Sequence, residues 1–334
     1  MNSTKIITFN YLSQFNRIHV KITDSFFSKL KNVIVAQYGM NKFSNDVLRV
    51  NSNTFSSEFA HNIYHPFVRI LKIIKILNIS KEELYSTILG FYHWGSHYNS
   101  YLIIPKELSV DESFVEGFAL YFAEGDNGSN AKHKPRKFRF TNSEPLVINY
   151  MIKWLNNYLP TNDSYINVII PRGMEVIFED IKKLIKHPKL KFKSEDYNKI
   201  IKYKLCFDNA IFIDLILSLE DTIKDLCSKD PKLAAAYARG MMIGEGTAYF
   251  GKSRYVRIEM RNEKEIKYLY RLLTMLDYDC KPLLRSKRHN MWSLYIGAKQ
   301  LDKFAKEIGF GVHQKRQQIL EQGVNKVLRV NQYY

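Results

Sequence analysis

Apolar positions along this chain keep two periods, and their order predicts most of its elements. Alternation of period two marks strands at 18–22, 137–141, 165–170, 203–207, 247–251, 255–260, 281–285 and 291–296, with a short one near Leu102. Helical spacing marks 24–35, where Asp24 is the expected cap, and 67–77, which carries Arg69, Lys72 and Lys75 on its polar side. After a break at Asn78-Ile79, Ser80 and Glu83 form a capping box for a helix to about Leu89. The pair of helices reads equally as a helix-turn-helix or an ordinary αα-hairpin. Later helices are expected from Asn142-Ser-Glu-Pro145 to about Leu159, over 210–227, from Asn262 to about Leu276, over 299–307, and in a basic tail. Residues 171–200 read as an inserted helix and a lysine-rich loop.

Two segments are mainly apolar, each ending in a lone glutamate before glycine, and read as copies of one element. They are Gly117-Phe-Ala-Leu-Tyr-Phe-Ala-Glu-Gly125 and Ala238-Arg-Gly-Met-Met-Ile-Gly-Glu-Gly246. Each has a small residue at its third and seventh positions, Ala119 and Ala123 in one, Gly240 and Gly244 in the other. A four-residue step is close to one helical turn, so these residues share a face on which another helix can approach at backbone distance. Gly125 and Gly246 are expected to close the helices in the left-handed conformation. That leaves Glu124 and Glu245 at helix C-termini, where the dipole disfavours a carboxylate. If the small faces meet, the two acids come together, and both stay ionised only with cations between them. Hard divalent ions such as Mg²⁺ suit oxygen ligands of this kind.

The order helix, two strands, helix, two strands, helix follows each segment. Asn142 and Asn262, each at the head of a helix, lie at nearly the same distance after Glu124 and Glu245. This is duplication. The chain is therefore read as an N-terminal auxiliary module over 1–109, mainly helical, then one unit over 110–230 and a second over 231–334.

Composition narrows the partner. Fifty Lys and Arg against 33 Asp and Glu give a net charge of +17, which favours a polyanion, and nucleic acid before a membrane surface. No apolar run is long enough for a transmembrane span, and no signal peptide is evident. Three widely spaced cysteines, Cys206, Cys227 and Cys280, point to a reducing compartment and no zinc site. The expected location is cytoplasmic and nucleic-acid associated, or an organelle in a eukaryote. His93 and His97 stand four apart without an evident third ligand, and are read as surface or core residues before a metal pair.

The two segments resemble the LAGLIDADG motif of homing endonucleases, maturases and certain non-catalytic regulators. Both acids here are Glu where Asp is usual, and Ala119 replaces the usual Gly. The resemblance implies an α+β fold of two pseudo-symmetric αββαββα units joined at the motif helices, each with a four-stranded sheet over DNA. It implies a monomeric, Mg²⁺- or Mn²⁺-dependent endonuclease on double-stranded DNA. The ions would be held by Glu124, Glu245, Ala123 and Gly244. It also implies a basic residue on a later strand of each unit. Lys204 fits in the first unit, while the matching position of the second is Ser293. The residues expected on the duplex are Lys132, Lys137, Arg139, Arg254, Arg257, Lys281, Arg285, Lys287 and Arg288. The alternative is a non-cleaving regulator or a maturase acting on RNA.

Overall fold

In the computed structural model, which describes residues 5–8, 18–62, 64–94, 101–125, 137–159, 164–174, 177–196, 199–251, 253–287 and 289–331, the chain divides into two units, built mainly on 6–109 and on 110–334. Strands β1 (Lys5–Thr8) and β2 (His19–Ile22) precede helix α1 (Asp24–Gln37). Thr23, rather than Asp24, caps α1: its hydroxyl accepts from the Phe26 amide at 3.4 Å. Helix α2 (Met40–Lys42) runs into a π-helical turn at Phe43–Leu48, and α3 (Ser52–Glu58), β3 (His65–Pro66), α4 (Phe67–Ile76) and α5 (Lys81–Thr87) follow. Asn78, at φ 54, ends the α4 segment, and Ser80 Oγ accepts from the Glu83 amide at 3.1 Å to open α5. The chain then enters β4 (Ile88–Trp94) without a loop, where helix to Leu89 was expected, and continues as β5 (Tyr101–Ile104) and β6 (Glu107–Val110).

Helices dominate this first unit, but they pack with an antiparallel sheet in the order β3-β2-β4-β5; β1 pairs with β6. Of the basic residues on α4, Arg69 pairs with Glu58 and Lys72 donates to the Leu48 carbonyl at 2.9 Å, which leaves Lys75 on the exposed side. His93 is buried on β4, and His97 lies outside the described residues.

The second unit carries the repeat. Its first half comprises α6 (Glu112–Glu124), β7 (Phe138–Asn142), α7 (Pro145–Tyr158), β8 (Tyr165–Pro171), α8 (Phe178–Leu184), β9 (Leu190–Glu195), β10 (Lys202–Phe207), α9 (Ala210–Ser218) and α10 (Glu220–Cys227). The second half comprises α11 (Pro231–Glu245), β11 (Gly246–Phe250), β12 (Arg254–Met260), α12 (Glu263–Met275), β13 (Leu283–Ser286), β14 (Met291–Gly297), α13 (Leu301–Glu307) and α14 (Gln314–Asn331). Asp111 opens α6 by accepting from the Phe114 amide at 2.7 Å; Asp230 opens α11, with Pro231 in its first turn.

The second sheet runs β11-β12-β14-β13, all antiparallel. The first runs β7-β10-β8-β9, and its last strand is parallel to β8. Strand β9 falls where a lysine-rich loop was expected. Its exposed lysines alternate with Leu190 and Phe192, so the period is present but short. Inward-facing Phe138, Phe140, Val256 and Ile258 are fully buried. Each such side chain stabilises the fold by roughly 1.5–3 kcal/mol. Among the described residues no helix is long and apolar enough to cross a membrane.

Candidate active site at the joined motif helices

Helices α6 and α11 pack along one another more extensively than any other pair of elements among the described residues. Small residues make this possible. A Cβ on Gly240 would meet the Glu116 carbonyl and stand 2.8 Å from the Ala119 Cβ; one on Gly244 would stand 2.5 Å from the Ala123 Cβ and 3.0 Å from the Glu124 Cγ. Ala119, Ala123, Gly240 and Gly244 thus form the seam, and the last of these brings the α11 backbone against the first acid. Arg239 closes the other end of the seam: it pairs with Glu116 of α6 at 3.0 Å and donates to the carbonyls of Glu307 and Ile308.

Gly125 and Gly246 do not take the left-handed conformation expected of them. Both are extended, at φ −82 and φ −74, because the chain leaves each helix directly into a sheet. Glycine is needed there for space instead. A Cβ would stand 2.5 Å from the Tyr121 carbonyl in one case and 2.5 Å from the Met242 carbonyl in the other.

Glu124 ends α6 and Glu245 ends α11. Burial and the charge of Glu245 push the Glu124 carboxyl up to about 7, while Arg316 pulls it back. Glu245 is the more exposed acid, yet partial burial still raises its carboxyl, again against Arg316. Asn142, at the end of β7, donates to Glu124 at 3.2 Å and accepts from the Glu144 amide at 2.9 Å. It touches the acid, a role its position at a helix start did not reveal. Nor is it the counterpart of Asn262. Gly125 bridges to Phe140 as Gly246 pairs with Ile258, so Asn142 matches Met260, whereas Asn262 caps α12.

Arg316 is the second residue that sequence patterns did not single out. It lies in the first turn of α14, after a loop in which Gly309 (φ 63) and Gly311 (φ 46) take positive φ, a region that favours glycine. The loop folds α14 back onto the end of α11. There Arg316 Nη1 donates to the carbonyls of Ile243 and Gly244 at 2.7 Å each and of Met242 at 3.3 Å. These are the acceptors that a helix C-terminus leaves unpaired. Burial lowers the Arg316 guanidinium, against the charges of Glu124, Glu245 and Glu144, which favour it.

Among the described residues no three His, Cys, Asp or Glu side chains cluster as a metal site. The donors at the helix ends are two carboxylates and main-chain oxygens. Their chemistry fits a hard divalent cation. Burial raises both carboxyls, with the charge of Glu245 adding to the rise at Glu124, and a cation would offset that cost as a proton does. Gly244 offers its carbonyl to Arg316, and Ala123 meets Gly244 through its side chain.

Strand register relates the two sheets. Phe140 matches Ile258, so Thr141 opposite Lys204 matches Glu259 opposite Ser293. Lys204 is half-buried; Ser293 is fully buried and donates to the Leu283 carbonyl at 3.4 Å. The outward face of the first sheet carries Arg139, Lys202 and Lys204 with Lys191 and Lys193 of β9, the last two and Lys202 being unsuspected. The outward face of the second carries Tyr249, Tyr255 and Tyr295 around Arg257, whose guanidinium lies 5.9 and 5.8 Å from two of the rings.

Several of the expected duplex contacts are already engaged. Lys137 and Arg139 pair with Asp208, and Arg257 and Arg285 pair with Glu259. Arg254 begins β12, Lys281 and Lys287 are exposed around β13, and Lys132 and Arg288 lie outside the described residues.

No family model matches this chain, and no curated protein does. Among solved structures it is similar to I-DmoI in complex with DNA and Mn, at 15% identity over 60% of this chain and 98% of that one, with a TM-score of 0.38. It is also similar to the N-terminal LAGLIDADG domain of DUF199/WhiA, at 14% identity over 59% of this chain and 82% of that one, with a TM-score of 0.36. For full-length DUF199/WhiA from Thermatoga maritima the values are 14%, 66% of each chain and 0.38. The seam of small residues, the acids at its end and the two four-stranded sheets make this an α+β fold of the arrangement that the resemblance to the LAGLIDADG motif implies.

Proposed function

We propose that this protein is a sequence-specific, divalent-metal-dependent endonuclease of the homing type that cuts double-stranded DNA. The observation that carries the reading is the pair of carboxylates at the abutting ends of α6 and α11. Burial raises both carboxyls, the charge of Glu245 adds to the rise at Glu124, and among the described residues neither forms a salt bridge. Glu124 and Glu245 would hold the ion, and Asn142 fixes the Glu124 carboxylate by its 3.2 Å hydrogen bond. When bound, Mg²⁺ or Mn²⁺ supplies an activated water and stabilises the leaving oxygen. Lys204 stands on the outward face of its sheet to neutralise a phosphate at the first half of the site. Basic residues of both sheet faces hold the duplex backbone, and the tyrosines and base-facing side chains supply register and selectivity.

Two observations favour a second reading, a DNA- or RNA-binding protein that does not cut. The second half has buried Ser293 where the first has Lys204, and Arg316 sits against the acids. Incubation with a randomised duplex library and Mg²⁺ separates the readings. Cleavage by the wild type, lost in Glu124→Gln and Glu245→Gln with binding kept, is the expected result. Selective binding without cleavage by the wild type establishes the second reading instead.

A further inference from the structure

Arg316 belongs to α14, after the strands and helices that the two halves share. It sets an asymmetry on the acid pair. Its Nη1 occupies the Gly244 and Ile243 carbonyls at 2.7 Å, at the very helix end that bears Glu245. The turn that bears the guanidinium is itself fixed. The Arg316 amide lies 3.5 Å from His313 Nδ1, and Gln317, the next residue, accepts from the Phe310 amide at 2.8 Å, so the first turn of α14 is tied to the loop before it. A fixed positive charge therefore stands beside Glu245, on main-chain oxygen that a cation there would otherwise use. The same half lacks the lysine, having Ser293 in its place.

We propose that Arg316 takes the place of a second divalent cation, so that the acid pair holds one ion and the two halves of the site are unequal. The inference rests on the metal-dependent reading above and adds a stoichiometry to it. It is tested without DNA, by titrating the full chain with Mn²⁺ and following free Mn²⁺ by electron paramagnetic resonance. Wild type, Arg316→Gln, Arg316→Lys and Glu124→Gln are compared, with circular dichroism and melting curves to verify folding. One Mn²⁺ per wild-type chain is expected. Arg316→Gln should bind a second ion or bind the first about tenfold more tightly, as expected on removing a unit charge at close range. Arg316→Lys should stay near the wild type.

Two ions of similar affinity in the wild type overturn the proposal while leaving the metal-dependent reading intact. So does a folded Arg316→Gln that binds as the wild type does. If Arg316→Gln does not fold, the wild-type stoichiometry and Arg316→Lys still decide. No ion in any variant removes both the proposal and the reading beneath it.

Discussion

Thr141 faces Lys204 in the first sheet, and Glu259 faces Ser293 at the same point of the second. The surroundings differ in the same sense. The first half presents lysines from β9 and β10, whereas the second presents a tyrosine cluster whose arginines are neutralised by Glu259 and whose helix end is capped by Arg316. Strand pairing has been kept across β7, β10 and β8 and their counterparts β12, β14 and β13, while charge has not. Packing explains why. The seam and inward strand faces are constrained by close contact, so any change there is costly. Outward faces tolerate substitution and are free to diverge in chemistry.

The comparison can be broken most sharply at the acids. On the proposed function, Glu124→Gln and Glu245→Gln should each lower cleavage by at least about 10²-fold in Mg²⁺, since each would remove an oxygen ligand of the proposed ion. Equal losses from the two would indicate that both halves share the ion. Next in size is the lysine. Lys204→Met should slow cleavage about tenfold or more, read in single-turnover kinetics, while Ser293→Ala should leave the rate within about twofold. A loss at Ser293 would contradict the inequality of the halves.

The seam gives a third test, read as stability. Gly240→Ala puts a methyl against the Glu116 carbonyl and should destabilise by about 2–4 kcal/mol in urea melts. Ala119→Gly, at the matching position, should cost only about 1 kcal/mol through helix propensity. Similar losses at both would mean that the helices are further apart than described.

A smaller effect is expected with pH. Burial, with the charge of Glu245 beside it, raises the Glu124 carboxyl in the folded chain to about 7. The folded state therefore binds the proton more tightly, and metal-free stability falls as pH rises through that window. The size should be on the order of 1–3 kcal/mol, and Glu124→Gln should flatten the curve. Smallest is the backbone term: replacing Lys191, Lys193 or Lys202 by Ala should each lower the slope of log K against log salt by about 1, with little change in sequence preference.

Much of this frame is legible from residue order. Small residues four apart, a lone Glu after an apolar run and a following Gly locate both motif helices, because close helix contact leaves so few residue choices. Lys204 and its counterpart Ser293 also follow from the repeat. What escapes is whatever depends on contacts distant in sequence. Strand β9 has only Leu190 and Phe192 as an apolar face among lysines, and its parallel pairing with β8 has no local signal. Arg316 is one of many basic residues until the turn at Gly309 and Gly311 carries it to the end of α11. The extended geometry of Gly125 and Gly246 likewise depends on the strands that follow them.

The most direct test of the acid pair is strand-resolved cleavage of one duplex target selected from the randomised library, with wild type, Glu124→Gln and Glu245→Gln in Mg²⁺. The wild type should cut, one strand faster than the other, and neither variant should cut either strand while both still bind. Cleavage that survives in both variants, or a wild type that binds its selected target and leaves both strands whole, would contradict the account.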